Sequence, residues 1–197
     1  DPVNPDKVEE ALSRHSDISV VGFVHAETST GVLSDAKAIT QVAKEHDCLV
    51  IADTVTSLGG VPVCIDEWGI DAAYSGTQKC LSCPPGLSPV TFSETAHDVM
   101  QARKAPPQSW FMDVGLLTGY WTGGAQRAYH HTAPVNALYG LHESLLMLLE
   151  EGLEAAWKRH ADNHGALVAG LEAMGLEMAV PVQERTPQLN AVRIPDG

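Results

Sequence analysis

The sequence predicts an α/β protein, a mostly parallel sheet with flanking helices, followed by the start of a smaller α+β domain. Three observations carry that expectation. Residues 18–25 (ISVVGFVH) and 48–52 (CLVIA) are almost wholly apolar, the pattern of strands buried on both faces. Between them Ile39, Val42 and Ala43 recur at helical spacing. Each apolar run then stops at a polar loop, as strands of an open parallel sheet do at their functional edge.

In chain order, Pro2, Asn4 and Pro5 form a turn before a short helix over 6–14, with Val8, Ala11 and Leu12 on one face. The strand over 18–25 ends in the loop Glu27 to Gly31. Ser34 is read as the N-cap of the next helix, which runs to Glu45, and Asp35 is favoured near its positive end. Strand, helix and strand within about thirty-five residues make a βαβ unit, parallel and right-handed. After Asp53, residues 54–60 form a polar loop closing on Gly59-Gly60, 61–65 a short strand, and Trp68-Gly69 a turn into the segment 71–75. A further strand is expected over 89–92, and Ser93 with Glu94 opens a helix to Arg103.

Residues 104–126 are rich in Pro, Gly and aromatics, and a long aromatic loop in a compact protein covers a site or an interface. Two helices follow Pro134. Leu138, Leu141, Leu145 and Leu149 stripe the first; the stripe outlasts one heptad by only about two turns, so it is read as core and not as a zipper. The second carries Trp157, His160, His164 and Leu171 on one face and ends at Gly175, placed as a C′ glycine. Residues 176–180 and 189–194 look like the first strands of another unit. The expected division is a large domain over 1–152 and the beginning of a small one over 153–197. No internal repeat or low-complexity tract interrupts it.

Lys and Arg number 12 against 25 Asp and Glu, a net charge of −13, which excludes nucleic acid and anionic membranes as partners because both need a basic face. An anionic substrate must then be held by a few local positive groups or helix amino termini. No apolar run is long enough to span a bilayer. Cys48, Cys64, Cys80 and Cys83 do not resemble a secreted disulfide framework, and no Asn-x-Ser/Thr site occurs. The expected compartment is reducing: the cytoplasm, or a peroxisome or mitochondrion in a eukaryote. The chain opens at Asp1 without a methionine and stops at Gly197 after an apolar stretch, so both ends read as cuts through a longer protein.

The chemistry centres on Lys79. It follows a short apolar strand, between glycine- and proline-rich turns, where the functional loops of an open sheet lie. A lysine there can form a Schiff base with a carbonyl compound if its surroundings lower its pKa. Thr28 and Asp53 follow the other two strands, so the three converge on one crevice. An acidic group leaving an apolar strand is what the pyridine nitrogen of pyridoxal phosphate needs to stay protonated, and the protonated ring withdraws electrons from the substrate's α-carbon.

The segments ADTVTSLGG (52–60) and SGTQK (75–79) resemble the class V, fold-type-I pyridoxal-phosphate aminotransferases. So do HAETSTGV (25–32), PPG (84–86) and YHHTAP (129–134), the last looking like the alanine–glyoxylate branch and not the serine–glyoxylate branch of plants and methylotrophs. The resemblance covers nearly the whole chain in order. It implies that Lys79 is the Schiff-base lysine and the base that moves the proton at the substrate's α-carbon. It implies that Asp53 pairs with the ring nitrogen, Val55 packs on one ring face, Thr28 bonds near the ring hydroxyl and Gln78 contacts the phosphate. Tyr129 and Thr132 are implied to reach the phosphate in a neighbouring subunit, which makes a homodimer part of the active site. The implied reaction is ping-pong transfer of an amino group from alanine or serine to glyoxylate, with serine–glyoxylate, ureidoglycine–glyoxylate and cysteine desulfurase chemistry as alternatives. The family's glycine-rich phosphate loop and ring-stacking aromatic lie upstream of Asp1, and its substrate-carboxylate arginine downstream of Gly197. Arg193 is not in the matching motif, and the segment alone is expected to be inactive.

Other readings are weaker. Cys80-x-x-Cys83 lacks the second ligand pair a zinc site needs, and no loop cysteine sits in a desulfurase motif. His130 and His131 are adjacent in an extended segment, so their side chains are expected on opposite faces. His160 and His164 have zinc spacing without the glutamate of a metalloprotease and are read as a partly buried core pair. Cys48 and Cys64 are read as small buried hydrophobes. No G-x-G-x-x-G or phosphate-binding P-loop is present. A scaffold that has lost catalysis is disfavoured because Lys79 and Asp53 are both retained.

Overall fold

The computed structural model describes residues 1–122 and 128–195. Helix α1 (Pro5–Arg14) starts where Asn4 accepts a hydrogen bond from the Asp6 amide at 2.8 Å, with proline in its first turn, where a missing N–H costs nothing. Strand β1 (Val20–Val24) follows, then a small antiparallel hairpin of β2 (Ala26–Glu27) and β3 (Val32–Leu33). Its turn holds Thr28 and closes on Gly31, whose φ of +79° and close approach to the Leu189 carbonyl leave no room for a side chain.

Helix α2 (Ala36–Glu45) is capped by Asp35, which accepts from the Ala38 amide at 3.0 Å. The expected cap was Ser34. The helix begins one residue later than that required, and the Ser34 hydroxyl instead accepts from the Val3 amide at 3.1 Å. Strand β4 (Leu49–Asp53) completes the βαβ unit. Residues 61–65 form no strand: Val61 makes an isolated bridge, and α3 (Ile65–Trp68) is one helical turn. Pro62 removes a ladder donor, while Asp66 and Glu67 suit a helix amino terminus.

Strands β5 (Ala72–Tyr74) and β6 (Val90–Phe92) complete a sheet of order β1-β4-β5-β6, parallel except for β6. Leu12, Phe23, Ile39, Ala43, Val50, Ala52 and Ala73 form the core between one sheet face and the helices. The other face leaves Val20, Ile51, Tyr74 and Val90 exposed, so the apolar runs read as doubly covered are covered once within the described residues. Buried Asp71 ties the layers together. It accepts from the Val50 amide at 2.7 Å, from the Lys44 ammonium and from the Ser93 hydroxyl at 3.1 Å. Ser93 in turn caps α4 (Glu94–Gln101).

Part of the aromatic loop is helical. Asp113 accepts from the Gly115 amide at 2.9 Å and caps α5 (Val114–Trp121); residues 123–127 lie outside the described ones. Helices α6 (Val135–Glu151) and α7 (Leu153–Ala173) follow, and Gly175, at φ +78°, ends α7 as expected. The leucine stripe of α6 is not core here: Leu138, Leu145 and Leu149 are exposed. The Ser144 hydroxyl nevertheless ties α6 to the Leu81 carbonyl, just after Lys79. His160 and His164 are half-buried, as expected for a core pair, and His164 hydrogen-bonds Asn190 at 2.6 Å. The two final strands reduce to one antiparallel bridge, Met178 to Val192.

His25 gives a pH-dependent prediction. It is 4% exposed, meets Trp68 edge-on at 5.4 Å, and its Nδ1 has no partner among the described residues. Burial pushes its pKa from 6.5 down to about 4, against a smaller opposing pull from Asp35. Between those values the unfolded chain binds a proton that the folded chain refuses. Stability is therefore full above pH 6.5 and falls as pH drops toward 4, by about 3 kcal/mol at most. Denaturant midpoints from pH 7 to 4 check this, and His25→Phe is expected to flatten the dependence.

Candidate active site

Parallel register brings three strand ends to one edge. Val24 pairs with Asp53 and Asp53 with Tyr74, so the loops that follow leave the sheet side by side. The ladder continues one step further, with the His25 amide donating to the Asp53 carbonyl at 3.0 Å and the Thr54 amide to the Tyr74 carbonyl at 2.9 Å. Hydroxyls then tie loop to loop. Thr28 and Thr56 share a hydrogen bond, and Ser75 donates to the Thr54 carbonyl at 3.1 Å. From far along the chain, the Gln188 amide group donates to the Thr56 carbonyl at 2.9 Å and pins the same loop.

Asp53 is held at both oxygens. The Val55 amide donates to Oδ1 at 2.9 Å and the Tyr74 hydroxyl to Oδ2 at 2.8 Å. Opposed residues on neighbouring strands point to the same sheet face, so the tyrosine contact follows from register. The hydrogen bond to the carboxylate raises the Tyr74 phenol pKa, with slight burial adding to it, and the phenol remains a donor at neutral pH.

Lys79 is half-buried in a compact loop. The Ser82 amide donates to the Lys79 carbonyl at 2.9 Å, the Cys83 amide to the Thr77 carbonyl at 3.0 Å, and the Thr77 hydroxyl to the Pro84 carbonyl at 2.7 Å. The Gln78 side chain folds back over Gly76, its Oε1 lying 2.7 Å from where a Cβ would stand. Among the described residues no carboxylate pairs with Lys79, and Asp53 is engaged elsewhere. The loops at this sheet edge thus carry an anchored carboxylate, Asp53, a half-buried Val55 and a half-buried lysine that no carboxylate pairs with among the described residues.

Tyr129 and Thr132 join each other, hydroxyl to hydroxyl, at 2.6 Å, and Tyr129 is 66% exposed. No hydrogen bond links them to Asp53 or Lys79 among the described residues. Between them His130 is buried, stacked on Trp110 at 4.0 Å and hydrogen-bonded to the Trp110 carbonyl at 3.0 Å. The two histidines do not face apart: their Nδ1 atoms lie 2.9 Å from each other, because Trp110 and Phe111 gather both rings into one aromatic cluster. The four cysteines are free, and burial pushes the Cys80 thiol up, away from the thiolate that metal or redox work requires. Cys64 is half-buried at the start of α3 and does not lie on a strand.

The structure therefore brings Thr28, Asp53, Val55 and Lys79 to loops at one sheet edge, while Tyr129 and Thr132 are hydrogen-bonded to each other. Thr56, Tyr74 and Gln188 escaped the sequence reading. Tyr74 was recoverable, since counting back from two aligned strand ends places it opposite Asp53; Gln188 carried no such signal.

Comparison with known proteins places this geometry. The sequence model of the aminotransferase class-V family matches residues 2–196. The alanine–glyoxylate aminotransferase of Oryctolagus cuniculus is 41% identical over 191 residues, covering 96% of this chain and 48% of that protein. The (S)-ureidoglycine–glyoxylate transaminase of Bacillus subtilis is 40% identical over 196 residues, covering 90% and 47%. Among solved structures, the alanine–glyoxylate aminotransferase of Nostoc sp. superposes with a TM-score of 0.94 at 42% identity, over 100% of this chain and 52% of that one. The chain spans about half the length of the curated relatives it matches.

Proposed function

Because this chain belongs to the class V aminotransferase family, whose members in general depend on pyridoxal phosphate, we propose that its strand-end crevice binds that cofactor and moves an amino group from alanine or serine to glyoxylate. The observation that supports the reading is that loops leaving the same sheet edge carry an anchored carboxylate, Asp53, and a lysine, Lys79, that no carboxylate claims among the described residues. The donor set fits the group. A carboxylate suits a protonated ring nitrogen, a hydroxyl at Thr28 suits the ring hydroxyl, and the Val55 side chain offers an apolar ring contact.

When bound, pyridoxal phosphate supplies the electrophilic carbonyl and the electron sink through which nitrogen passes in two half-reactions. The chain's own groups do the rest. Asp53 holds the proton at the ring nitrogen. The Lys79 amine takes and returns the proton at the substrate's α-carbon, a transfer that a positioned base accelerates by about a hundred- to ten-thousandfold. Gln78 contacts the phosphate, and Tyr129 with Thr132, turned outward, serve the phosphate of a second subunit in a homodimer. The large domain is assigned to residues 1–152 and the beginning of the small one to 153–197. No helix among the described residues is long and apolar enough to cross a membrane.

The similarity to both alanine– and ureidoglycine–glyoxylate enzymes makes the donor the point to test. In single-turnover assays of the complete protein, alanine is expected to react fastest, with serine next and ureidoglycine slower. A faster reaction with ureidoglycine would move the assignment to that branch. No reaction with any of the three would overturn it.

A further inference from the structure

We infer that Tyr74 is a positioning residue for the cofactor's ring nitrogen: its hydroxyl clamps Asp53 Oδ2 and so fixes the rotation of the carboxylate that meets the ring. The inference rests on the proposed cofactor chemistry of this site and adds a residue to it. Four observations support it. Tyr74 is the β5 residue directly opposed to Asp53, so both side chains leave the same face of the sheet. Its hydroxyl lies 2.8 Å from Oδ2 while the Val55 amide takes Oδ1 at 2.9 Å. With both oxygens engaged, rotation about the carboxylate's own bond would break two hydrogen bonds, and each oxygen keeps a lone pair for a further donor. Finally, Tyr74 belongs to the open face and is 39% exposed, and among the described residues its hydroxyl is partnered by Asp53.

Preorganisation gives the clamp its effect. A free carboxylate samples rotations, and a ring N–H that must select one of them loses part of the charge-assisted hydrogen bond it forms. The two protein donors make that selection before the cofactor arrives. The raised phenol pKa is consistent with this arrangement, since its first cause is the hydrogen bond to Asp53.

The test is a double-mutant cycle on cofactor affinity in the complete protein, using Tyr74→Phe in wild-type and Asp53→Ala backgrounds. A hydrogen bond to a charged group is worth about 1.5–3 kcal/mol. Tyr74→Phe is therefore expected to weaken pyridoxal phosphate binding about tenfold to a hundredfold with Asp53 present. In the Asp53→Ala background the same change is expected to cost less than about twofold. A second readout needs no cofactor: high-pH ultraviolet titration of the apoprotein should show a late-titrating component that is absent in Tyr74→Phe and normalised in Asp53→Ala. Equal losses in both backgrounds, or unchanged binding, would overturn the role. Tighter binding in Tyr74→Phe would also overturn it, by showing that the hydroxyl occupies the ring nitrogen's place. If wild-type protein takes up no pyridoxal phosphate, the cofactor reading fails together with this one. Intact wild-type uptake without coupling sinks only the Tyr74 role.

Discussion

Lys79→Ala in the complete protein is expected to lower kcat by at least about a thousandfold while leaving the fold unchanged. Both halves of that result follow from where the side chain sits. The loop around it is held by backbone and hydroxyl contacts, from Ser82 to the Lys79 carbonyl and from Thr77 to Pro84. None of these uses the amine, so its removal is structurally silent. The amine does carry two chemical duties in the proposed reaction, attachment to the cofactor carbonyl and proton transfer at the α-carbon, and alanine performs neither. Steady-state rates with alanine and glyoxylate, beside thermal unfolding curves, check the two halves separately. A variant within tenfold of wild type would assign the chemistry to another group.

Asp53→Asn is expected to weaken pyridoxal phosphate binding about tenfold to a hundredfold and to lower kcat by about a hundredfold or more. The substitution keeps the shape and removes the charge. Asparagine has one acceptor oxygen where aspartate has two, so it cannot receive both the Val55 amide and the Tyr74 hydroxyl as Asp53 does. A neutral amide also does not hold a proton on the ring nitrogen, and the rate loss should therefore exceed the binding loss. Equilibrium binding of the cofactor and saturating-cofactor kinetics separate the two. Full activity at saturating cofactor would remove Asp53 from its assigned role.

What could be read from the sequence depended on the range of the interaction that decides each feature. The βαβ unit was legible because one local signal, unbroken apolar strands around a 3.6-period helix, is also the signal that buries Val50, Ala52 and Ile39. That Thr28, Asp53 and Lys79 lie in loops at one sheet edge was legible because parallel strands end on the same side. Residues 61–65 misled because Val and Ile signal strand, whereas Pro62 and the acidic pair Asp66 and Glu67 decide for a turn and a helix. The histidine pair misled for a tertiary reason, the aromatic cluster built by Trp110 and Phe111 from another segment. The α6 leucines were read as core from spacing alone, but spacing states which side is apolar and not what covers it. Gln188, holding a loop 132 residues away, lay beyond any local pattern.

Borohydride reduction of the complete protein after loading with pyridoxal phosphate, followed by mass mapping of its peptides, tests the central claim most directly. The account predicts a visible absorption band before reduction, its loss afterwards, and one reduced pyridoxyl adduct on the peptide bearing Lys79. A protein that stays colourless, or an adduct carried by a different lysine, would contradict it.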